Sequence, residues 1–155
     1  MRRFLPLLVL LALTLGVAAL GSVFTAAGQP EWYGALEKPA FTPPSWVFGP
    51  VWTTLYVLMA VAGWLVWERA GPNRGRAALT AFGIQLLLNL AWSGTFFALR
   101  APGWALLVLA LLWVAIAVTM RLFHRHSRPA AWLLAPYLAW VSYAAALNFA
   151  IWRLN

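Results

Sequence analysis

Long apolar runs, separated by short polar or proline-containing punctuation, occupy almost the whole chain. No charged residue occurs from Phe4 to Ala27, and runs longer than about 18 apolar residues are the mark of membrane-spanning helices. Five such helices are predicted. The first covers 4–27 and the second 43–69, where Pro43-Pro44 suits a first helical turn and Gly71-Pro72-Asn73 provides the stop. The third covers 74–99, the fourth opens at Pro102-Gly103 and covers 102–124, and the fifth follows Pro129 and covers 129–153. Each holds about 23 to 27 residues, or about 35–40 Å at about 1.5 Å per residue, enough to span a bilayer with some tilt. The expected fold is an all-α membrane protein, a single transmembrane domain over 1–155. Three connections are short, so sequential neighbours should be antiparallel; the fourth, loop 28–42, is long.

Composition agrees with this pattern. Of 155 residues, 64% are hydrophobic and only 9% charged, against about 25% in soluble domains. Arg2-Arg3 ahead of an apolar stretch resembles a signal peptide, but the stretch is about twice the usual length of a signal's apolar region, so it is read as a span. The net charge of +8 lies at the ends of apolar runs and not along a soluble face, which argues for membrane orientation and against nucleic acid. Arg2, Arg3, Arg69, Arg74, Arg76, Arg121, Arg125 and Arg128 collect on the N-terminal side; Lys38, Arg100 and Arg153 lie on the other. The positive-inside rule then predicts a cytoplasmic N-terminus, with a bacterial inner membrane as the favoured setting, and puts the long connection on the opposite face.

Polar residues inside spans need partners or a cavity. Gln85, Asn89, Trp92, Ser93 and Phe96 share one face of the third helix, and Pro136, Trp140, Ala144 and Asn148 recur every four residues on the fifth. Trp52 and Tyr56 lie one turn apart on the second, following Pro50. Two readings stay open: interhelical hydrogen bonds, or a mostly apolar, aromatic-walled cavity with a few polar anchors. Among the tryptophans, Trp64, Trp67, Trp104, Trp132 and Trp152 fall near helix ends, where interfacial anchoring is the default. Trp32, Trp46, Trp52, Trp92 and Trp140 do not.

Enzyme chemistry finds little footing. There is no Asp or Cys, and the three acids are Glu31, Glu37 and Glu68, all at helix ends or in loops. His124 and His126 flank Arg125 in a basic connection and read as a solvated pair, so no metal site is expected. Small residues four apart, Ala77/Ala81, Ala91/Thr95 and Gly94/Ala98, permit close helix packing and give weak support to a dimer.

Three segments carry a specific resemblance: WYGALEKPAFTPPSWVFGPVWTTLY (32–56), QLLLNLAWSGTFF (85–97) and PYLAWVSYAAALNFAIWRLN (136–155). In this order and spacing the sequence resembles the TspO/MBR family, the tryptophan-rich sensory and translocator proteins. The resemblance implies a five-helix bundle, commonly a homodimer, with the first loop as a lid over an internal pocket. It implies binding of porphyrins such as protoporphyrin IX, with no obligatory cofactor, and membrane lipid as surroundings. Carried over position by position, the pocket comprises Tyr33, Trp46, Trp52, Tyr56, Asn89, Trp92, Trp140, Ala144 and Leu147. The implied role is sensor, regulator or carrier. The alternatives are light-dependent porphyrin breakdown, with Trp52 and Trp140 as candidate reactive indoles, and a lipid-holding structural protein. Two features depart from the family's pattern. The sterol consensus is not met on the fifth helix, since Val141 and Tyr143 are followed by no basic residue before Arg153. Ala40-Phe41 stands where some relatives have a Trp pair. Lys38 is weighed as a partner for a ligand carboxylate or, preferentially, for Glu37 or water.

Overall fold

The computed structural model describes residues Met1–Asn155 and contains five helices long and apolar enough to cross a membrane. The first span is α1 (Leu5–Gly28), preceded by a 3₁₀ turn at Arg2–Phe4. A short helix, α2 (Glu31–Ala35), then interrupts the first loop; sequence periodicity could not show it, because one helical turn carries too few residues to repeat. The second span starts with a 3₁₀ turn at Ser45–Val47 and continues as α3 (Phe48–Arg74). It begins two residues later than the expected 43, since a proline disfavours the α region for the residue before it. The rule bars Pro43, which precedes Pro44, from the helix, and Pro44 itself is extended as the N-cap (φ −57°, ψ 145°). At the far end Gly71 adopts φ 68°, ψ −177°, a conformation that strains any residue with a Cβ. This ends the regular helix where Gly71-Pro72 was expected to, and a final turn then carries the chain to Arg74.

The third span is α4 (Arg76–Ser93) followed by a π-helical turn, Gly94–Ala98. Leu99 N–H bonds Gly94 O at 2.9 Å, five residues back. The widened turn leaves Phe96 and Phe97 both buried, although they are adjacent in sequence. The fourth span is α5 (Pro102–His124). The fifth is divided into α6 (Arg128–Leu133), whose N-cap Ser127 accepts from Ala130 N–H at 3.3 Å, and α7 (Ala135–Leu154). The division at Leu134 follows from Pro136, which supplies no N–H and crowds the preceding turn.

Around the bundle, α1 packs on α3 and on the third span, α4 on α5, α5 on α7, and α6 on α3. Only 11% of the first span's most apolar stretch is buried, against 39% for the second and fifth, so α1 is the most exposed span and the second and fifth are the most buried. Arg3 Nε donates to Glu68 Oε2 at 3.0 Å, and the Trp64 indole donates to Arg3 O at 3.2 Å. Both contacts tie the start of the first span to the end of the second, as antiparallel neighbours require. Trp67, Trp104, Trp132 and Trp152 are exposed near helix ends. Of the small-residue pairs, Gly94 faces Phe24 of α1, where a Cβ would stand 3.6 Å from its ring.

The closest backbone approach is at Gly28. A Cβ there would lie 2.7 Å from the Phe97 carbonyl oxygen, whereas at Gly16 it would meet nothing within 4 Å. Gly28→Ala is therefore expected to destabilise the protein by about 1–3 kcal/mol, seen as a lower thermal midpoint in detergent. Gly16→Ala should hold or raise the midpoint, since alanine favours helix over glycine. Equal midpoints for the two variants would contradict this packing.

Candidate functional site

The stripes seen in sequence converge on one polar cluster in the middle of the bundle. Tyr56 Oη donates to Asn89 Oδ1 at 2.6 Å, Asn89 Nδ2 donates to Tyr137 Oη at 2.8 Å, and Tyr137 Oη donates to Gln85 Oε1 at 2.7 Å. Gln85 Nε2 closes the row against Met59 Sδ at 3.9 Å. All five residues are buried, and the row joins the second, third and fifth spans. A second pair lies nearer the loop end: the Trp92 indole donates to Asn148 Oδ1 at 3.1 Å, and Asn148 Nδ2 donates to Pro102 O at 2.8 Å. The amides of Asn89 and Asn148 are thus occupied in holding aromatic side chains, so for them the reading as interhelical bonds holds.

Above this floor lies an aromatic chamber walled by Trp52, Trp92, Phe96, Trp140, Ala144 and Leu147, with Tyr33 as its roof. Its rings interlock. Trp52 is 6.2 Å from both Trp92 and Tyr137, Trp92 is 5.8 Å from Phe96, and Phe48 is 6.0 Å from Trp140, edge-on. The chamber is nearly filled, with about 30 Å³ free. Phe48, Trp52, Trp92 and Phe97 separate it from a cavity of about 420 Å³ between the first and second spans, a size within the about 300–1,000 Å³ usual for small-molecule sites. That cavity has a polar side, with Ser22, Thr25, Gln29, Ser45, Thr53 and Ser93 on its wall.

The loop forms a fastened cover. Lys38 Nζ donates to Tyr33 O at 2.8 Å and Leu36 O at 3.1 Å, which caps the C-terminal end of α2 with a positive charge. Its partner is thus the loop backbone and not the Glu37 carboxylate. Asn155 Oδ1 accepts from Glu37 N–H at 3.2 Å while its Nδ2 donates to Glu37 O at 2.9 Å. Tyr143 Oη donates to Phe41 O. Inside the cover Tyr33 is 6% exposed, stacks edge-on to Phe96 at 6.2 Å, and leaves its hydroxyl without a partner. Burial first, and then the nearby Tyr143 phenol, push the Tyr33 pKa above its ordinary value, so it remains a neutral donor at physiological pH.

Of the residues expected to form a pocket, Tyr33, Trp52, Trp92, Trp140, Ala144 and Leu147 meet at the chamber, and Tyr56 lies on the adjoining cavity. Asn89 does not line either; it stands beneath, bonded to Tyr56 and Tyr137. Trp46 is not brought to the chamber. It is 75% exposed on the 3₁₀ turn ahead of α3, the usual setting of an interfacial anchor. Sequence reasoning missed Tyr137, Phe48, Phe97 and Tyr143. Tyr137 had a signal, since it precedes Trp140 by three residues and Ala144 by seven, which keeps it on the same helical face. Phe97 had none, because only the π turn brings it inward.

The sequence has clear relatives among known proteins. A sequence model of the TspO/MBR family matches residues 8–153. The chain is 42% identical to "Tryptophan-rich protein TspO" of Chlorobaculum tepidum, covering 99% of this chain and 98% of that protein. It is 43% identical to "Translocator protein" of Homo sapiens over 87% of this chain and 81% of that one. With "Tryptophan-rich sensory protein" of Cereibacter sphaeroides it shares 39% identity, over 81% and 77% respectively.

Tyr137 sits at the middle of the polar row, so Tyr137→Phe strands Asn89 Nδ2 and Gln85 Oε1 together. The expected loss is about 1–2 kcal/mol, above the about 0.6 kcal/mol average for hydrogen bonds within membranes. The lipid-facing pair of the Trp113 indole and Ser142 Oγ, 2.9 Å apart, offers the comparison: Ser142→Ala should cost less. Thermal unfolding in detergent measures both, and the reverse order would show that the row is not what joins the spans.

Proposed function

The chain belongs to the TspO/MBR family, and from that premise we propose that it binds a planar, largely apolar tetrapyrrole, with metal-free protoporphyrin IX as the test case, in the aromatic chamber and its adjoining cavity. The observation that carries this reading is the Tyr33 hydroxyl: a buried donor with no partner, on the roof of a ring-lined chamber. An unsatisfied buried hydroxyl costs about 1–3 kcal/mol, and a ligand carboxylate or carbonyl would relieve that penalty. Offset or edge-on contacts with Trp52, Trp92 and Trp140 would each add about 0.5–1.5 kcal/mol beyond area burial. Gln29, Ser45 and Ser93 along the cavity make no side-chain hydrogen bond within the protein, which suits the polar edge of an amphiphilic macrocycle. A free volume of about 30 Å³ in the chamber requires the partition rings to turn when such a ligand enters. In this reading the bundle is a membrane sensor or carrier that holds its ligand without altering it, and it works as a homodimer.

No His, Cys or Met lines the chamber, so metal-free protoporphyrin is expected to bind at least as tightly as haem. Tyr33→Phe keeps the ring and removes only the donor. Its dissociation constant for protoporphyrin should rise about tenfold, equivalent to about 1.4 kcal/mol, while its thermal midpoint holds or rises. Tryptophan-fluorescence quenching measures the first and a melting curve the second. Unchanged affinity would remove Tyr33 Oη from the site.

Light-dependent breakdown of the bound porphyrin is a second reading, favoured by the presence of both Trp52 and Trp140 on the chamber wall. Under illumination, Trp52→Phe and Trp140→Phe should then slow product formation more than they weaken binding. Parental rates in both variants would leave that chemistry without its residues.

A further inference from the structure

The fifth span parts from the second at a defined point. Below Leu134, α6 packs on α3; past Ala135, α7 makes almost no close backbone approach to α3 and packs on α5 instead. Pro136 is the cause, since the break it imposes redirects the helix. The resulting seam is open to the bilayer as a groove of about 800 Å³, lined on one side by Pro50, Val51, Thr54 and Leu58 and on the other by Pro136 and Ala139. Trp140 and Tyr143 form its inner wall, and these same two side chains also line the aromatic chamber. Groove and chamber are therefore separated by two side chains and not by a helix.

Those two side chains are also the more movable barrier. The Trp140 and Tyr143 rings are 5.5 Å apart, and Tyr143 is held outward by its bond to Phe41 O and by the Phe41 ring at 6.1 Å. The cover, by contrast, is held to the bundle by the paired Asn155–Glu37 bonds and by Gly28 wedged on Phe97, in addition to the Tyr143–Phe41 bond. Rotating one indole and one phenol breaks a single hydrogen bond. Lifting the cover breaks several and exposes buried aromatic surface to water.

We propose that the groove between α3 and α7 is a membrane-facing binding site for the flat apolar ligand, which reaches the chamber from the bilayer through a gate formed by Trp140 and Tyr143. This inference rests on the chamber being the ligand site. The groove suits such an occupant: its lining is dominated by proline rings, aliphatic side chains and aromatic faces, and a tetrapyrrole partitions into the hydrocarbon that bathes it. The two sites are continuous through the residues they share, so the ligand need never cross water.

Because the chain has no cysteine, Ala139→Cys supplies a single thiol on the groove's outer edge, where Ala139 is exposed. The protein in lipid nanodiscs would carry a benzyl group on that thiol through a reducible disulfide, and protoporphyrin IX binding would be followed by stopped-flow tryptophan quenching. Association and dissociation are both expected to slow by about tenfold or more, with little change in the equilibrium constant, and reduction of the disulfide should restore them. The same group on Val114→Cys, exposed on α5 away from the groove, should have no effect. Asn155→Ala, which frees the cover, should leave the association rate as it was. A tagged position 139 that binds at the parental rate, or an Asn155→Ala variant that binds faster, would overturn the gate and favour admission beneath the cover. Failure of the untagged parent to bind protoporphyrin at equilibrium would instead remove the chamber reading on which the gate rests.

Discussion

A hydrocarbon core offers no water to a hydrogen-bonding group, so every amide and hydroxyl carried into it must be satisfied within the bundle or line a cavity. The rest of this structure depends on how that demand is met. Tyr56, Asn89, Tyr137 and Gln85 bond to one another in a single row, and each bond crosses from one span to another. Leucine and lipid tails are equally apolar, so the hydrophobic effect gives spans little reason to choose a register. A polar row that closes in only one alignment supplies that reason. It fixes the rotation of α3, α4 and α7 and thereby the direction in which Trp52, Trp92 and Trp140 point.

With the floor set, the aromatic chamber follows as packing. The Trp92 indole is held by Asn148, and Asn148 by the Pro102 carbonyl at the start of α5, so the wall is anchored to three spans. The π turn at Gly94–Ala98 adds Phe96 and Phe97 side by side, and Gly28 admits the end of α1 against Phe97. Tyr33 is the exception to the rule that organises everything below it. It is buried, its hydroxyl has no partner, and it belongs to a cover fastened by Lys38 and Asn155. A single unmet buried donor beside an aromatic chamber is a structural cost of about 1–3 kcal/mol.

Proline sets the shape of the outer surface as firmly as the polar row sets the inner one. Pro44 keeps the approach to the second span extended, and Pro136 divides the fifth into a segment that packs on α3 and one that leaves it. The seam that results is bridged by rings and not by backbone.

Much of this was legible in the amino-acid order. Uninterrupted apolar length specifies five membrane-spanning helices, because a helix must satisfy its own backbone across about 30 Å of hydrocarbon. Spacing by three and four puts Gln85, Asn89, Trp92, Ser93 and Phe96 on one face, and all five are buried. Three motif segments were enough to indicate the family. The sequence could not say which polar side chains would use up each other's bonds, because partners 33 to 56 positions apart along the chain are chosen by how helices rotate and cross. So Asn89, an expected ligand contact, stands beneath the chamber bonded to Tyr56 and Tyr137, while Trp46, equally aromatic on paper, is exposed. The turn at Glu31–Ala35, the inward swing of Phe97 and the parting of α7 from α3 likewise arise from packing and from single proline or glycine geometries, which leave no periodic trace to read.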